Sequence, residues 1–138
     1  MILTKSPEDT VLLGERIARS LKPNDVVAIT GELGASKTTL IQGVAKGLGI
    51  NNWITSPTFT LINEFTGKLN LYHVDLYRID SVADAEDIAI EEYFNKGGVT
   101  VIEWAEKIGP ILPAGTVEIK ISIVSDNERS LEIKGLSI

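Results

Sequence analysis

The sequence of 138 residues contains no cysteine, so it can form neither disulfide bonds nor thiolate metal sites. A chain without cysteine suits a reducing compartment. It also lacks any run of about 18 apolar residues, the length that a membrane-spanning helix needs, and its N-terminus lacks the basic and then apolar pattern of a secretion signal. We therefore predict a soluble, cytoplasmic protein whose residues 1–138 form one domain with no membrane contact.

Positive charge is also scarce. The chain has 13 lysines and arginines against 19 aspartates and glutamates, a formal net charge of -6, and only 4 of its residues are arginine. Because affinity for nucleic acid comes largely from neutralised phosphates, such a chain is a poor binder of RNA or DNA on its own. If the protein acts on a nucleic acid, we expect a partner subunit to hold most of it.

The clearest chemical signal lies in residues 26–48, where an apolar run leads through a short glycine-bearing loop into a helix-like stretch. The loop, residues 31–38, reads GELGASKT. It matches the phosphate-loop pattern G-x-x-x-x-G-K-[ST] at every defined position except the second glycine, which is Ser36. The surrounding strand and helix signals favour a nucleoside-triphosphate site over an ordinary turn that happens to contain Gly, Lys and Thr.

The residues of this loop have distinct chemical roles in such a site. A sharp turn from strand into helix aims backbone N–H groups at one point, where the helix dipole adds to the attraction for phosphate. Lys37 would lie over the β- and γ-phosphates as a point charge. The hydroxyl of Thr38 would ligate Mg²⁺.

Hydrophobic patterning predicts an α/β fold. Short continuous apolar runs are typical of parallel strands that are buried on both faces, whereas the alternating tail is typical of a hairpin with one solvated face. We expect a phosphate-loop NTPase-like, mostly parallel sheet flanked by helices and extended by a C-terminal antiparallel hairpin. The predicted elements are a helix capped by Ser6, a strand at 26–30, a helix at 37–48, a loop passing into a strand at 51–63, a turn at 67–68, a strand at 69–77, an acidic helix at 82–94, a strand at 99–102, and hairpin strands at 117–123 and 130–134.

Two acids end predicted strands. Glu103 follows the buried strand 99–102, and Asp75 belongs to the more amphipathic strand before it. Ligands collect at the carboxyl ends of strands in open α/β sheets, so either acid could hold a metal or polarise an attacking water, although solvated acids also occur there. His73 shares a face with Asp75 and could position water or be a packed core histidine.

The sequence leaves two interpretations open for a hydroxyl-rich segment, and it also contains two tryptophans. Residues 55–60 read TSPTFT and could form a switch that senses the γ-phosphate or an ordinary loop. Trp53 and Trp104 are interpreted as packing residues.

Six segments, taken in order, resemble the bacterial TsaE (YjeE) family of small ATPases that serve threonylcarbamoyladenosine modification of tRNA. They cover nearly the whole chain, and the SPTFT, H-x-D-x-Y-R and E-W-x-E segments are far more specific than a phosphate loop alone. The segments are a loosely spaced T-x-x-L-G at 10–14, GELGASKTT at 31–39, SPTFTLINEF at 56–65, YHVDLYR at 72–78, IEEYF at 90–94 and VIEWAEKI at 101–108.

The resemblance implies an ATP site, an activity and partners. It implies that Thr38 and Glu103 ligate Mg²⁺ and that Asp75, with Lys37 and Glu103, is required for hydrolysis. The residues that it places on or near ATP are Thr10, Gly34, Ala35, Ser36, Lys37, Thr38, Thr39 and Arg129. It also implies that the chain acts with TsaD and TsaB, which hold the tRNA and modify the adenosine beside the anticodon, while ATP hydrolysis enables multiple turnover.

Ser36 is the departure from the family pattern, which has glycine at this position. Phosphate-loop glycines allow positive φ angles and a close approach to phosphate oxygens. Holding a non-glycine residue in a left-handed conformation costs roughly 1 to 2 kcal/mol, which corresponds to about a tenfold loss of affinity. Our hypothesis is that ATP still binds, but more weakly or in altered geometry, with slower hydrolysis.

Other functions remain as alternatives. A nucleotide-gated interaction module would bind ATP with little hydrolysis. A small-molecule kinase shares the loop but usually needs lid arginines, of which few are present. A GTPase is disfavoured because no N-K-x-D base-reading segment is visible.

Overall fold

The computed structural model describes residues 1–32, 36–52 and 62–138, which form one mixed sheet and its flanking helices. Among these residues, no helix combines the length and the apolar character that crossing a membrane requires. The elements are β1 (Ile2–Thr4), α1 (Pro7–Arg19), β2 (Val26–Gly31), α2 (Lys37–Gly47), β3 (Ile62–Phe65), β4 (Leu71–Asp75), α3 (Val82–Asp87), α4 (Ile90–Tyr93), β5 (Val99–Glu103), a 3₁₀-helical segment (Ala105–Ile111), β6 (Val117–Ile123) and β7 (Arg129–Lys134).

The strands follow the order β1-β7-β6-β2-β5-β4-β3. The four central strands, β6, β2, β5 and β4, are parallel, and the strands outside them pair antiparallel. The predicted α/β fold, with its mostly parallel sheet and its C-terminal antiparallel hairpin, is therefore confirmed. Because β2 lies between two parallel neighbours, the loop that follows it leaves from the middle of the sheet, where ligands bind in folds of this kind.

Each face of the sheet buries its own hydrophobic core. Val27 and Ile29 of β2 pack in the cluster that contains α1 and α2, whereas Val26 and Ala28 pack in the cluster that contains α3, α4 and the 3₁₀ segment. Successive side chains of a strand point to opposite faces, so a continuous apolar run fills both cores. This explains why β2 was visible in the sequence as an uninterrupted apolar stretch.

Helix α1 packs almost directly onto the backbone of α2. A methyl group added at Gly43 would lie 2.1 Å from the carbonyl oxygen of Val11, and one added at Gly14 would lie 2.5 Å from that of Leu40. Helix α1 begins as predicted, with the amide of Asp9 donating to the Ser6 hydroxyl at 3.1 Å. Since α2 carries Lys37 on its first turn, this close contact fixes the helix on which that lysine lies.

The predicted acidic helix at 82–94 is wrong, because the structure breaks it. Helix α3 ends before Ile88, Ala89 adopts a left-handed φ of 55°, and α4 then begins. Ala85 and Ile90 are both fully buried, although five residues of continuous helix would turn them about 140° apart. The break rotates the chain so that both side chains reach the same core.

Several boundaries also differ from the predictions. Strand β4 covers Leu71–Asp75 rather than 69–77, and α2 ends at Gly47. Strand β1 and the 3₁₀ segment were not predicted, since β1 has only three residues and the 3₁₀ segment contains Gly109 and Pro110, which interrupt a helical pattern. The hydroxyl-rich segment, residues 55–60, lies outside the described residues.

We predict that Gly43→Ala destabilises the protein, because the added methyl would force α1 and α2 apart. The expected loss in free energy of unfolding is about 2 to 3 kcal/mol, measured by urea denaturation. Gly109→Ala is the matched control, since a methyl group there would meet nothing within 4 Å, and it should change stability by less than about 0.5 kcal/mol. Equal stability of the two variants would contradict the close packing of the helices.

Candidate functional site

Two acids lie at the carboxyl ends of neighbouring parallel strands, on the side of the sheet where the loop begins. Asp75 is the last residue of β4 and Glu103 is the last residue of β5, and the two are paired in register. On its other side, Glu103 is paired with Ile29 of β2. The structure therefore places both predicted acids beside the start of the loop.

Ser36 adopts the left-handed conformation that the glycine of the phosphate-loop pattern would favour. Its φ and ψ are 75° and 30°, and it forms the N-cap of α2 without a capping hydrogen bond from its side chain. A side chain in this region costs roughly 1 to 2 kcal/mol. The chain thus keeps the backbone geometry associated with glycine at this position. Gly34 and Ala35 lie outside the described residues.

Lys37, the first residue of α2, turns back toward the beginning of the loop. Its side chain is buried, and Nζ donates to the carbonyl oxygen of Gly31 at 2.7 Å and to that of Glu32 at 3.3 Å. The same nitrogen lies 3.9 Å from the ring centroid of Trp104, within the range of a cation–π interaction. The amine therefore sits between the loop and the end of β5, where it could meet an anion.

Opposing electrostatic effects act on this amine. Burial lowers the pKa of Lys37, whereas the negative charges of Glu103, Glu106 and Asp75 act to raise it, with burial the larger effect. Asp75 is half-buried, and burial raises the pKa of its carboxyl group, as does the charge of Glu103, while the hydrogen bond from the Tyr77 amide at 3.0 Å lowers it. Two acids and one lysine thus share a desolvated space.

His73 is fully buried, and its partner is one of the two acids. Its Nε2 lies 2.7 Å from Oε2 of Glu103, which is itself only 3 % exposed. The sequence allowed two interpretations of His73, and the structure supports the one in which it is a packed, hydrogen-bonded core residue. Sequence reasoning missed its partner, because finding it requires knowing that β4 and β5 are neighbours.

The oxygen donors suit a hard cation that also binds phosphate. Thr38 and Thr39 lie on the first turn of α2, both half-buried, and Glu103 is the last residue of β5, which neighbours β2. Among the described residues, no group of three or more His, Asp or Glu side chains could hold a metal ion by itself. Mg²⁺ is commonly held by one or two protein oxygens together with water and substrate phosphates, so a threonine and a carboxylate fit this ion.

Thr10 and Arg129 are both neighbours of Thr4. Thr4 of β1 is paired with Arg129, the first residue of β7, and its hydroxyl lies 2.8 Å from that of Thr10. Thr10 is buried, so its contact with Thr4 is internal. One nitrogen of the Arg129 guanidinium, Nη1, donates to backbone carbonyls of the preceding turn, those of Ser125, Asp126 and Glu128.

Two residues beside the site had no functional interpretation in the sequence. Trp104 was interpreted as packing, yet it follows Glu103 in a left-handed conformation with φ of 61° and presents its ring to Lys37. Lys107 donates to the carbonyl oxygens of Tyr77 and Ile79 at 2.7 and 3.0 Å, which fastens the segment after Asp75. The position of Trp104 directly after a strand-end acid is the one signal that could have revealed it.

Comparisons with known proteins show the family of this chain. The family model described as "Threonylcarbamoyl adenosine biosynthesis protein TsaE" matches residues 4–131. A protein of Treponema pallidum named tRNA threonylcarbamoyladenosine biosynthesis protein TsaE is 41 % identical over 131 residues, which are 95 % of this chain and 97 % of that protein. A protein of Bacillus subtilis with the same name is 43 % identical over 93 % of this chain and 80 % of its own length.

A solved structure has the same fold as this chain. The crystal structure of YdiB from Bacillus subtilis superposes with a TM-score of 0.77 at 39 % sequence identity, and the match covers 94 % of this chain and 80 % of that one. The resemblance drawn from the sequence segments is confirmed. On the family model, the relatives and the shared fold together, the chain belongs to the TsaE family.

Proposed function

We propose that this chain binds ATP with Mg²⁺ at the loop between β2 and α2 and hydrolyses it in support of threonylcarbamoyladenosine modification of tRNA, at the adenosine beside the anticodon. The observation that carries the proposal is the convergence of a buried lysine and two strand-end acids on the start of α2. Phosphate-transfer sites are built mainly from positioning and charge stabilisation, which is what these groups offer.

The phosphates would bind at the N-terminus of α2, in reach of Lys37. The first turn of a helix has free N–H groups and a partial positive charge, and a lysine amine adds a full one. Lys37 would exchange its contacts with the carbonyls of Gly31 and Glu32 for phosphate oxygens. Thr39 and the loop residues Gly34 and Ala35 belong to the same proposed cradle, with Thr10 and Arg129 near the nucleotide.

The two acids would have different roles, one in binding the metal and the other in orienting water. Thr38 and Glu103 would hold Mg²⁺, which neutralises charge that develops on the phosphates when it is bound. Asp75 is then the group suited to orient the attacking water. Because burial raises the pKa of Asp75, its carboxylate is a better proton acceptor than an exposed one.

The tRNA would rest mainly on the partner proteins TsaD and TsaB, and the complex would work in the cytoplasm. The relatives are named for tRNA threonylcarbamoyladenosine biosynthesis, which supports the pathway. The net charge of -6 supports the division of labour, because an acidic surface repels the tRNA backbone.

A second candidate is an interaction module that binds ATP with little hydrolysis. The left-handed conformation of Ser36 favours it, because a side chain at this position could alter the placement of the phosphates. The two candidates differ in whether phosphate is released once the partners are present.

We expect Lys37→Ala to abolish ATP turnover, because removing the buried amine removes a charge that would stabilise the transferred phosphate. Lys46→Ala is the control, since Lys46 lies on the last turn of the same helix and is largely exposed. Turnover is measured as phosphate release. A Lys37→Ala variant that hydrolyses ATP as fast as the Lys46→Ala variant would contradict the proposed site.

Glu103→Ala should chiefly remove the dependence of turnover on Mg²⁺, because the metal would lose its carboxylate ligand. The measurement is the rate of phosphate release across a Mg²⁺ titration, with the exposed strand residue Glu118 changed to Ala as the control. An unaffected Glu103→Ala enzyme would move the metal role to Asp75.

Ser36→Gly should tighten ATP binding by up to about tenfold and speed hydrolysis, since glycine adopts the observed φ without strain. Calorimetric titration with ATP and turnover assays measure both effects. Ser81→Gly is the matched control, because Ser81 also forms an N-cap but has an extended φ of -152°. Equal affinity and turnover in Ser36→Gly and the unchanged chain would show that the serine is harmless.

A reconstituted reaction tests the link to tRNA. With TsaD, TsaB, tRNA and ATP, we expect the chain to bind the other two proteins and to raise the yield of modified adenosine beyond one turnover. The Lys37→Ala variant should not raise it. ATP binding with no phosphate released over hours, even with the partners, would favour the interaction module, and release of phosphate with no effect on modification would refute the link to tRNA.

A further inference from the structure

We propose that His73 is a positioning residue, which holds the Glu103 carboxylate in the orientation that binds the metal. This inference rests on the proposed Mg²⁺–nucleotide site and deepens it. The observation behind it is the 2.7 Å contact between His73 Nε2 and Glu103 Oε2, formed between a fully buried ring and an acid that is 3 % exposed.

The sheet makes this contact possible. Asp75 and Glu103 are paired across β4 and β5, and His73 is paired with Val101, two residues before each strand ends. Side chains two residues apart on a strand lie on the same face. His73 is therefore the diagonal neighbour of Glu103 on the adjacent strand, two residues before the strand ends. Val101 belongs to the core that α1 and α2 cover, so the His73 ring approaches the acid from within that core, whereas Glu103 lies at the end of its strand.

A buried carboxylate needs hydrogen bonds to offset the loss of water. The bond from His73 engages Oε2, which leaves the other oxygen, Oε1, for a cation. It also restricts rotation of the Glu103 side chain, so that binding a metal does not have to order it. Without this donor, the carboxylate would turn toward other partners or toward water.

The other ring nitrogen, Nδ1, supports a positioning role for this histidine. Because a carboxylate accepts hydrogen bonds, Nε2 carries the proton in this contact, and Nδ1 has no hydrogen-bond partner among the described residues. Such buried polar atoms are uncommon in proteins. An apolar residue would fill this part of the core without leaving such an atom, so the contact with Glu103 accounts for the histidine.

The test measures metal affinity rather than turnover. Mn²⁺ replaces Mg²⁺ as the probe, and free Mn²⁺ is counted by electron paramagnetic resonance in the presence of the full chain and adenylyl imidodiphosphate. His73→Asn places its amide only where Nδ1 lies, whereas His73→Gln can place an N–H near the position of Nε2. We expect Mn²⁺ binding to weaken by about 10- to 100-fold in His73→Asn and to return to within a few-fold of the unchanged chain in His73→Gln.

Two further measurements separate positioning from a general structural role. Binding of the nucleotide analogue in EDTA should be the same in both variants, since the effect acts only through the metal. In a chain that already carries Glu103→Gln, adding His73→Asn should cause no further loss of Mn²⁺ affinity. A further loss there, or equal weakening by Asn and Gln at position 73, would overturn the positioning role.

The outcome also distinguishes this inference from the proposed function. If the unchanged chain binds no Mn²⁺ with the nucleotide analogue, the metal site itself is refuted. If the unchanged chain binds Mn²⁺ and His73→Asn binds it equally well, only the role of His73 is refuted. Thermal unfolding of each variant is recorded alongside, and His73→Gln serves for the comparison with the unchanged chain if His73→Asn does not fold.

Discussion

The candidate site depends on two buried ionisable groups, the Lys37 amine and the Glu103 carboxylate, which influence each other electrostatically. Lys37 and Glu103 are each less than a tenth exposed, and buried ions are tolerated only when other groups compensate them. Backbone carbonyls and the Trp104 ring surround the amine, and His73 donates to the carboxylate. These contacts hold both charges in a space with little water, where a charged ligand would interact more strongly than at an open surface.

The rest of the fold keeps these groups in place. The central parallel strands all end on the same side of the sheet, which places the acids beside the start of the loop. Helix α1 lies so close to α2 that there is no room for side chains at the two glycines where the helices meet. The remaining helices bury the opposite face of β2, β4 and β5. Precision at a site of this kind requires rigid supporting elements, and short strands within a fully packed sheet provide them.

Much of this arrangement could be predicted from sequence, and the exceptions have physical causes. The parallel strands appeared as apolar runs, the Ser6 cap as a local pattern, and Asp75 and Glu103 as acids at strand ends. The break at Ala89 could not be predicted, because it depends on which side chains the core accepts. The bond between His73 and Glu103 depends on strand order. The contact of the Trp104 ring with Lys37 depends on a left-handed backbone at Trp104, which its position after a strand-end acid does not by itself predict.

In the proposed site, the amides at the start of α2 and the Lys37 amine bind the phosphates of a metal-bound nucleotide. A crystal structure of the chain with Mg²⁺ and adenylyl imidodiphosphate tests it most directly. We expect phosphate density at the first turn of α2 within hydrogen-bond reach of Lys37 Nζ, with the metal between Thr38 and Glu103. Nucleotide density elsewhere, with Lys37 still bound to the carbonyls of Gly31 and Glu32, would contradict it.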